Sequence, residues 1–110
     1  MKLPNTTYIA PQKLLRYLLI PRAEDDKSKF LANAGYTKEN WQTLESDLRE
    51  QILTLDADET EQTKHGIVYE IRGKLERPNG RVLAVATIWM KEASTGQTKF
   101  ITLYPAKKSP

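Results

Sequence analysis

Residues 67–76 read IVYEIRGKLE, and they carry the clearest strand pattern in the sequence. Apolar residues alternate with charged ones at a period of two, which predicts a β-strand with one buried side and one solvent-facing side. The buried side would carry Ile67, Tyr69, Ile71 and Leu75. The solvent side would carry Glu70, Arg72, Lys74 and Glu76.

Two further strands follow and predict an antiparallel meander. The segment RPNGR at residues 77–81 is a hairpin signal, because Asn-Gly supplies positive φ angles. The segment from Val82 to Met90 is apolar on both faces, which indicates a central strand. Residues 94–96, Ser-Thr-Gly, predict the next turn, and Lys99–Tyr104 the third strand.

Hydrophobic spacings of three and four residues before the sheet predict three helices. These are Pro11–Leu19, ended by Pro21; Lys27–Ala34, capped by Asp26 and ended by Gly35; and about Lys38–Leu53, capped by Thr37. The apolar stripe of the third helix, which includes Trp41, Leu44 and Leu48, needs an apolar partner, so we expect the helices to cover one face of the sheet.

The predicted fold class is therefore α+β, with N-terminal helices packed on one face of a C-terminal antiparallel β-meander of three to four strands. We expect a single domain over residues 1–110. Its helical half runs over about 11–55 and its sheet half over about 66–105, with a frayed tail at 106–110. The acidic, polar segment 56–64 predicts a mobile surface loop between the halves.

Composition excludes several classes of protein and site. The chain has no cysteine and one histidine, which excludes disulfides, thiolate chemistry and any multi-histidine metal site. The sequence contains no apolar run of about 18 residues, the length that a membrane span requires. Its first residues lack the apolar core of a signal peptide. The sequence contains no Gly-rich phosphate loop. We therefore expect a cytoplasmic protein with no cofactor, no bound metal and no membrane partner.

Charge is distributed unevenly along the chain, whose net charge is +3. Residues 1–63 hold 8 Lys/Arg and 11 Asp/Glu, which gives −3, whereas residues 64–110 hold 9 Lys/Arg and 3 Asp/Glu, which gives +6. A basic half is a footprint expected for a phosphate-bearing partner. The alternative is a solvated strand face with a basic tail at Lys107 and Lys108.

The basic half also contains the side chains suited to phosphodiester chemistry. His65, the only histidine, stands before the first strand and has the residue type that most often transfers protons near neutral pH. Arg72 and Lys74 lie two positions apart on the polar side of that strand, about 7 Å between Cα atoms. The alternative for them is a solvated face with Glu70 and Glu76 as ion-pair partners.

The last strand and its neighbours complete the candidate set. Thr102 and Tyr104 share one side of the last strand, and the alternation puts Phe100 on that side too, so this side could equally be core. Trp89 could stack on a nucleobase, or could pack in the core. Lys64 is a further candidate for binding a phosphate. The acidic residues between 56 and 61 do not follow a metal-loop pattern.

The segments YEIRG at 69–73, PNGR at 78–81, TIW at 87–89 and FITLYP at 100–105 resemble a small uncharacterised bacterial family known only as a domain of unknown function. The upstream GYTKENW at 35–41 resembles the helical half of that family. The resemblance covers nearly the whole chain, but it implies no established activity.

A more distant resemblance is to the barnase–EndoU–colicin–RelE group of metal-independent ribonuclease toxins. Those domains place helices before an antiparallel sheet, several end on Thr-x-Tyr-Pro as residues 102–105 do here, and many carry a basic or histidine residue at the first strand, as Lys64 and His65 could be. The group has four strands. A fourth strand is expected here at Leu53–Asp56 or at Tyr8-Ile9.

The leading hypothesis is a metal-independent endoribonuclease, the toxin of a toxin–antitoxin pair, with RNA as substrate and a small cognate antitoxin as partner. His65 would act as base or acid, and Arg72 with Lys74 would stabilise the phosphate charge. Thr102 and Tyr104 would position the scissile phosphate, and Tyr104 could also act as the acid. Lys64 and Trp89 would bind RNA. The hypothesis requires the imidazole, guanidinium and phenol to meet on one outward surface.

Two alternatives belong to other functional classes. In the first, the chain is a non-enzymatic interaction module, of accessory or immunity type, that docks an acidic partner on the basic sheet face. In the second, it binds RNA without cleaving it, which predicts salt-dependent affinity with intact RNA.

Overall fold

The helical layer forms where the apolar stripes predict it. The computed structural model describes residues 1–19, 27–76, 80 and 82–106, with positions 16 and 17 by their backbone alone. Helix α1, Pro11–Lys13, continues into a wide π-helical turn at Leu14–Leu18, and helix α2 is Ser28–Ala32. A 3-10 turn at Lys38–Asn40 leads into α3, Trp41–Asp47, which widens into a second π-helical turn at Leu48–Ile52. None of the described helices is long and apolar enough to cross a membrane.

Local chemistry at the helix ends follows the sequence. Pro11 occupies the first turn of α1, where its missing N–H costs no hydrogen bond. Gly35 follows α2 with φ +91°, the left-handed conformation that ends a helix. Thr37 and Asn40 form a capping box, in which the Asn40 side chain accepts the Thr37 N–H at 2.7 Å. The predicted roles of Pro21 and Asp26 lie outside the described residues.

Four antiparallel strands form one sheet in the order β1-β2-β3-β4. They are β1 Asp58–Thr63, β2 Gly66–Leu75, β3 Leu83–Glu92 and β4 Thr98–Pro105. The predicted α+β class and the central position of the most apolar strand, β3, are both confirmed. Of the predicted hairpin turn before β3, Gly80 has φ +85°, and Asn79 lies outside the described residues.

The described helices cover one side of the sheet, the inner face, and the opposite side, the outer face, carries the exposed side chains of Arg72, Lys74 and Tyr104. The inner face carries large buried side chains from three strands: Tyr69, Ile71, Leu75, Val85, Trp89, Phe100 and Leu103. The helical side contributes Leu14, Leu18, Leu31, Leu44, Leu48 and Ile52, all fully buried. Gly73 interrupts the apolar alternation of β2 because a Cβ there would come 2.7 Å from Leu55 Cδ1 and 2.9 Å from Ile52 Cδ1. The chain after α3 therefore crosses β2 at its glycine.

The acidic segment predicted as a loop is a strand instead, and this corrects the expected position of the fourth strand. β1 runs through Asp58–Thr63, so the fourth strand lies neither at Leu53–Asp56 nor at Tyr8-Ile9. Five of its six residues are exposed, so no apolar alternation marks it in the sequence. Charged side chains are the usual protection of an edge strand against pairing with other chains. Tyr8 contributes only an isolated bridge beside β4.

A bulge in β4 changes which side chains share a face. Trp89 pairs with Phe100, but Ile88 pairs with Thr102, so Ile101 is the extra residue. The extra residue reverses the alternation along the strand. Phe100 is buried on the inner face, whereas Thr102 and Tyr104 lie on the outer face. The prediction that all three side chains share one side is therefore wrong.

A side chain at Gly66 would meet the backbone of the neighbouring strand β3. Its φ is +151°, and a Cβ there would collide with the carbonyl oxygen of Lys91. Gly96 has φ +72° with no atom within 4 Å of a built Cβ, so it is a matched control for the φ penalty alone. We expect Gly96→Ala to cost about 1–2 kcal/mol of unfolding free energy and Gly66→Ala about 3 kcal/mol or more. Urea unfolding measures both, and equal losses would contradict the close approach of β2 and β3.

A buried hydrogen-bond relay holds Trp89 in the core. Its indole Nε1–H donates to Thr87 Oγ1 at 2.7 Å, and the Thr87 hydroxyl donates to the Ile71 carbonyl at 2.8 Å. Thr87→Val removes this acceptor from a fully buried N–H and should cost about 1–3 kcal/mol. In a Trp89→Phe background the same change should cost less, because the N–H is gone. An equal cost in both backgrounds, measured by urea unfolding, contradicts the relay.

Candidate functional site

The candidate site lies on the outer face, where strand register brings three strands together. Arg72 of β2 pairs with Ala86 of β3, which pairs with Tyr104 of β4. Neighbouring strands lie about 4.8 Å apart, so the Arg72 and Tyr104 Cα atoms are about 10 Å apart. Ala86 is small, so both long side chains can approach over it. Strand register therefore places Arg72 and Tyr104 on the same side of the sheet.

The next row of the sheet completes the cluster. Glu70 pairs with Ile88, and Ile88 pairs with Thr102. The Arg72 Nε–H donates to Glu70 Oε1 at 2.9 Å, as the solvated-face alternative predicted. The hydrogen bond and the negative charge of Glu70 raise the pKa of Arg72, and Tyr104 adds a smaller contribution in the same direction. Arg72 thus keeps its positive charge beside the Glu70 carboxylate.

Lys27 is a member of the cluster that the sequence analysis missed. Its Nζ donates to Thr102 Oγ1 at 2.9 Å and lies 5.4 Å from the centre of the Tyr104 ring. The residue stands one position before α2 and is 7 % exposed, so its ammonium reaches β4 from the helical layer. No local pattern indicates this contact, because residues 27 and 102 meet only through the tertiary fold.

Lys74 lies at the margin of the cluster. It is exposed on the same side of β2 as Arg72 and pairs with Ala84. The two Cα atoms are about 7 Å apart, since a strand repeats its face every two residues. Among the described residues, Lys27 and Arg72 of the cluster carry two positive charges and Glu70 one negative charge, and Lys74 adds a third positive charge at the margin. We call Lys27, Glu70, Arg72, Thr102 and Tyr104 the outer-face cluster.

His65 and Lys64 do not join the outer-face cluster. They form the turn between β1 and β2, where Gly66 pairs with Glu92. Arg72 lies seven positions beyond His65, and a strand rises about 3.3 Å per residue, so these Cα atoms are about 20 Å apart. The expectation that imidazole, guanidinium and phenol meet is therefore corrected: Arg72 and Tyr104 share the outer face, and His65 lies apart from both. The reason is the length of β2, because His65 precedes its first residue and Arg72 lies near its other end.

Trp89 has no surface to offer a nucleobase. It is fully buried, with its ring edge-on to Phe100 at 5.1 Å between centroids. Its one polar group is satisfied by Thr87. The odd-numbered residues of β3 face the helices, so the tryptophan packs in the core, and base stacking by Trp89 is corrected to a structural role.

Among the residues that the structure describes, no three His, Asp or Glu side chains come together as a metal site. The outer-face cluster itself offers several kinds of chemical group. Guanidinium and ammonium groups bind phosphate oxygens, a carboxylate accepts protons, and a phenol both donates and accepts hydrogen bonds. Such a set suits the binding of a phosphodiester and proton transfer at its ester oxygens.

Comparison with known proteins assigns the chain to a family but gives it no activity. No curated protein matches it, and no solved structure matches it. A family model described as a domain of unknown function, DUF6883, matches residues 2–107. The match spans both the helical layer and all four strands, so the chain belongs to the DUF6883 family.

Proposed function

We propose that this protein is an endoribonuclease that cleaves RNA without a metal ion, through the outer-face cluster. The observation that carries the proposal is the meeting of Arg72, Lys27 and Tyr104 on one surface of the sheet. A scissile phosphate needs positive charge around its non-bridging oxygens, and it needs proton transfer at two ester oxygens. The cluster provides both kinds of group.

The cationic groups would hold the phosphate and stabilise its transition state. A guanidinium has five N–H donors, and the bond from Arg72 Nε to Glu70 uses one of them. Lys27 supplies an ammonium that donates to Thr102 and lies 5.4 Å from the centre of the Tyr104 ring. Lys74 adds charge toward one neighbouring phosphate. Each such fixed charge acts on the oxygens where negative charge grows in the phosphorane.

Proton transfer falls to the carboxylate and the phenol. The Glu70 carboxylate accepts the proton of the RNA 2′-hydroxyl, whose oxygen then forms a bond to phosphorus. The bond from phosphorus to the 5′-oxygen breaks, and Tyr104 gives its proton to that leaving oxygen. The products are a 2′,3′-cyclic phosphate and a free 5′-hydroxyl, and the two protein groups exchange protons with water to return to their starting states. His65, the residue first expected in this role, is too distant to take part.

The biological setting proposed is that of a toxin in a toxin–antitoxin pair, and it rests on the distant resemblance to ribonuclease toxins. A small cognate antitoxin would neutralise such an enzyme by covering the outer face. The cationic cluster favours an antitoxin segment with acidic side chains, because opposite charge steers association and sets register.

Tyr104→Phe and Arg72→Ala should each lower the rate of RNA cleavage in EDTA by about 100-fold or more, the usual size of an acid–base or charge contribution. Tyr8→Phe is the matched control, since Tyr8 is also an exposed tyrosine but stands outside the cluster. Gel analysis of a labelled RNA with a 2′,3′-cyclic phosphate assay measures the rate and the product.

The controls separate the proposal from its alternatives. If Tyr104→Phe cleaves RNA at the wild-type rate, the phenol takes no part in the mechanism. If Tyr8→Phe loses cleavage as well, the loss in Tyr104→Phe is not specific to the outer-face cluster. Intact RNA bound by the wild type, with affinity that falls as salt rises, would instead identify an RNA-binding module. No cleavage and no RNA binding would leave the protein-interaction module as the better account.

A further inference from the structure

The turn end of the sheet carries a second group of basic residues on the outer face. Lys64 and His65 are exposed in the turn between β1 and β2, and Lys99 projects from β4 beside Met90. Lys99 Nζ is held by Glu92 Oε2 at 3.1 Å. These residues line a cleft of about 410 Å³ together with Met90, Glu92, Ala93 and Ser94. Because Glu92 pairs with Lys99, Lys64 and His65 supply the remaining basic side chains of the cleft, and Met90 and Ala93 give it an apolar part.

An apolar strip connects this cleft with the outer-face cluster. Val68, Ile88 and Met90 all lie on the outer face and are half-buried, so part of each side chain remains accessible. Val68 pairs with Met90, and Ile88 lies one row further toward Arg72 and Tyr104. Nucleobases present apolar faces that pack on such side chains only when they are unstacked, as in a single strand.

The distance between the two cationic ends sets the length of ligand that spans them. About 20 Å separates His65 from Arg72 along β2, at about 3.3 Å per residue. A dinucleotide has one phosphate and can occupy only one end. Single-strand sites on other folds begin at about 4 nucleotides, so an oligonucleotide of that size or longer can place phosphates at both ends and bases over the strip between them.

We infer that the cleft at Lys64 and His65 is a second phosphate subsite, and that the substrate is single-stranded RNA several nucleotides long, bound along the outer face. The inference rests on the proposed function for the identity of the reaction, and it deepens that function by naming the substrate. Lys64 and His65 contact a phosphate remote from the scissile one. They act in binding alone.

Substrate length separates the two ends experimentally. The wild type should cleave a hexanucleotide with a kcat/KM at least about 10-fold above that for a dinucleotide. The variant Lys64→Ala/His65→Ala should lose about 10-fold on the hexanucleotide through KM, with kcat unchanged, and should cleave the dinucleotide like the wild type. Lys38→Ala is the charge-matched control, because Lys38 is an exposed lysine of the helical layer and should change neither substrate.

A binding measurement keeps the inference testable if no cleavage occurs. Fluorescence anisotropy with a labelled hexanucleotide in EDTA should show weaker binding by the double variant, with a log–log salt slope smaller by about 0.7 for each lost phosphate contact. If the wild type binds but does not cleave, the proposed reaction fails while the subsite stands. Equal affinity and equal salt slope of wild type and double variant overturn the subsite, whatever the outcome for cleavage.

Discussion

The β-bulge opposite Ile88 and Trp89 is the constraint on which the candidate site depends. A strand that alternated regularly from Phe100 would bury Thr102 and Tyr104 under the helices with it. Because of one extra residue, Ile101, the Phe100 ring lies in the core whereas Thr102 and Tyr104 lie on the outer face. Bulges commonly re-aim side chains near functional sites. Here the bulge lets one short strand supply both a core anchor and the hydroxyl groups that meet Lys27 and Arg72.

The polar contacts of the outer-face cluster orient its side chains and contribute little to the stability of the fold. The Arg72–Glu70 pair is largely exposed on its arginine side, and exposed ion pairs contribute only about 0–1 kcal/mol. The stability of the sheet comes from its inner face, where helices and strands bury aliphatic and aromatic side chains together. The outer face is thus free to carry charge, because the core on the other side does not depend on it.

The sequence predicts the fold more completely than the site. Periods of 3.6 and 2 locate the three helices and strands β2 to β4, because each of these buries an apolar stripe. Strand β1 cannot be predicted in this way, because an exposed, acidic edge strand has no apolar stripe. Alternation places Arg72 and Lys74 on the outer face correctly. The distance from His65 to Arg72 also follows from strand rise alone, once the strand is known to be unbroken from Gly66 to Leu75.

The remaining features of the site depend on tertiary structure. No sequence pattern in β4 indicates the bulge, because its residues fit a regular alternation. The contact from Lys27 to Thr102 joins residues 75 positions apart. The burial of Trp89 depends on which face of β3 meets the helices, and a strand that is apolar on both sides does not decide this by pattern. Register between strands is the information that the sequence pattern lacks, and register is what assembles the outer-face cluster.

The central claim is that the outer face of the sheet binds a phosphodiester at Arg72 and Tyr104. Titration of the ¹⁵N-labelled protein with a hexanucleotide that contains 2′-deoxy sugars, and therefore lacks the attacking hydroxyl, tests it most directly by amide chemical shifts. We expect saturable shifts centred on residues 70–72, 86–88 and 102–104, with the helical residues 41–47 unchanged. Shifts confined to the helical layer, or no shifts at low salt, would contradict it.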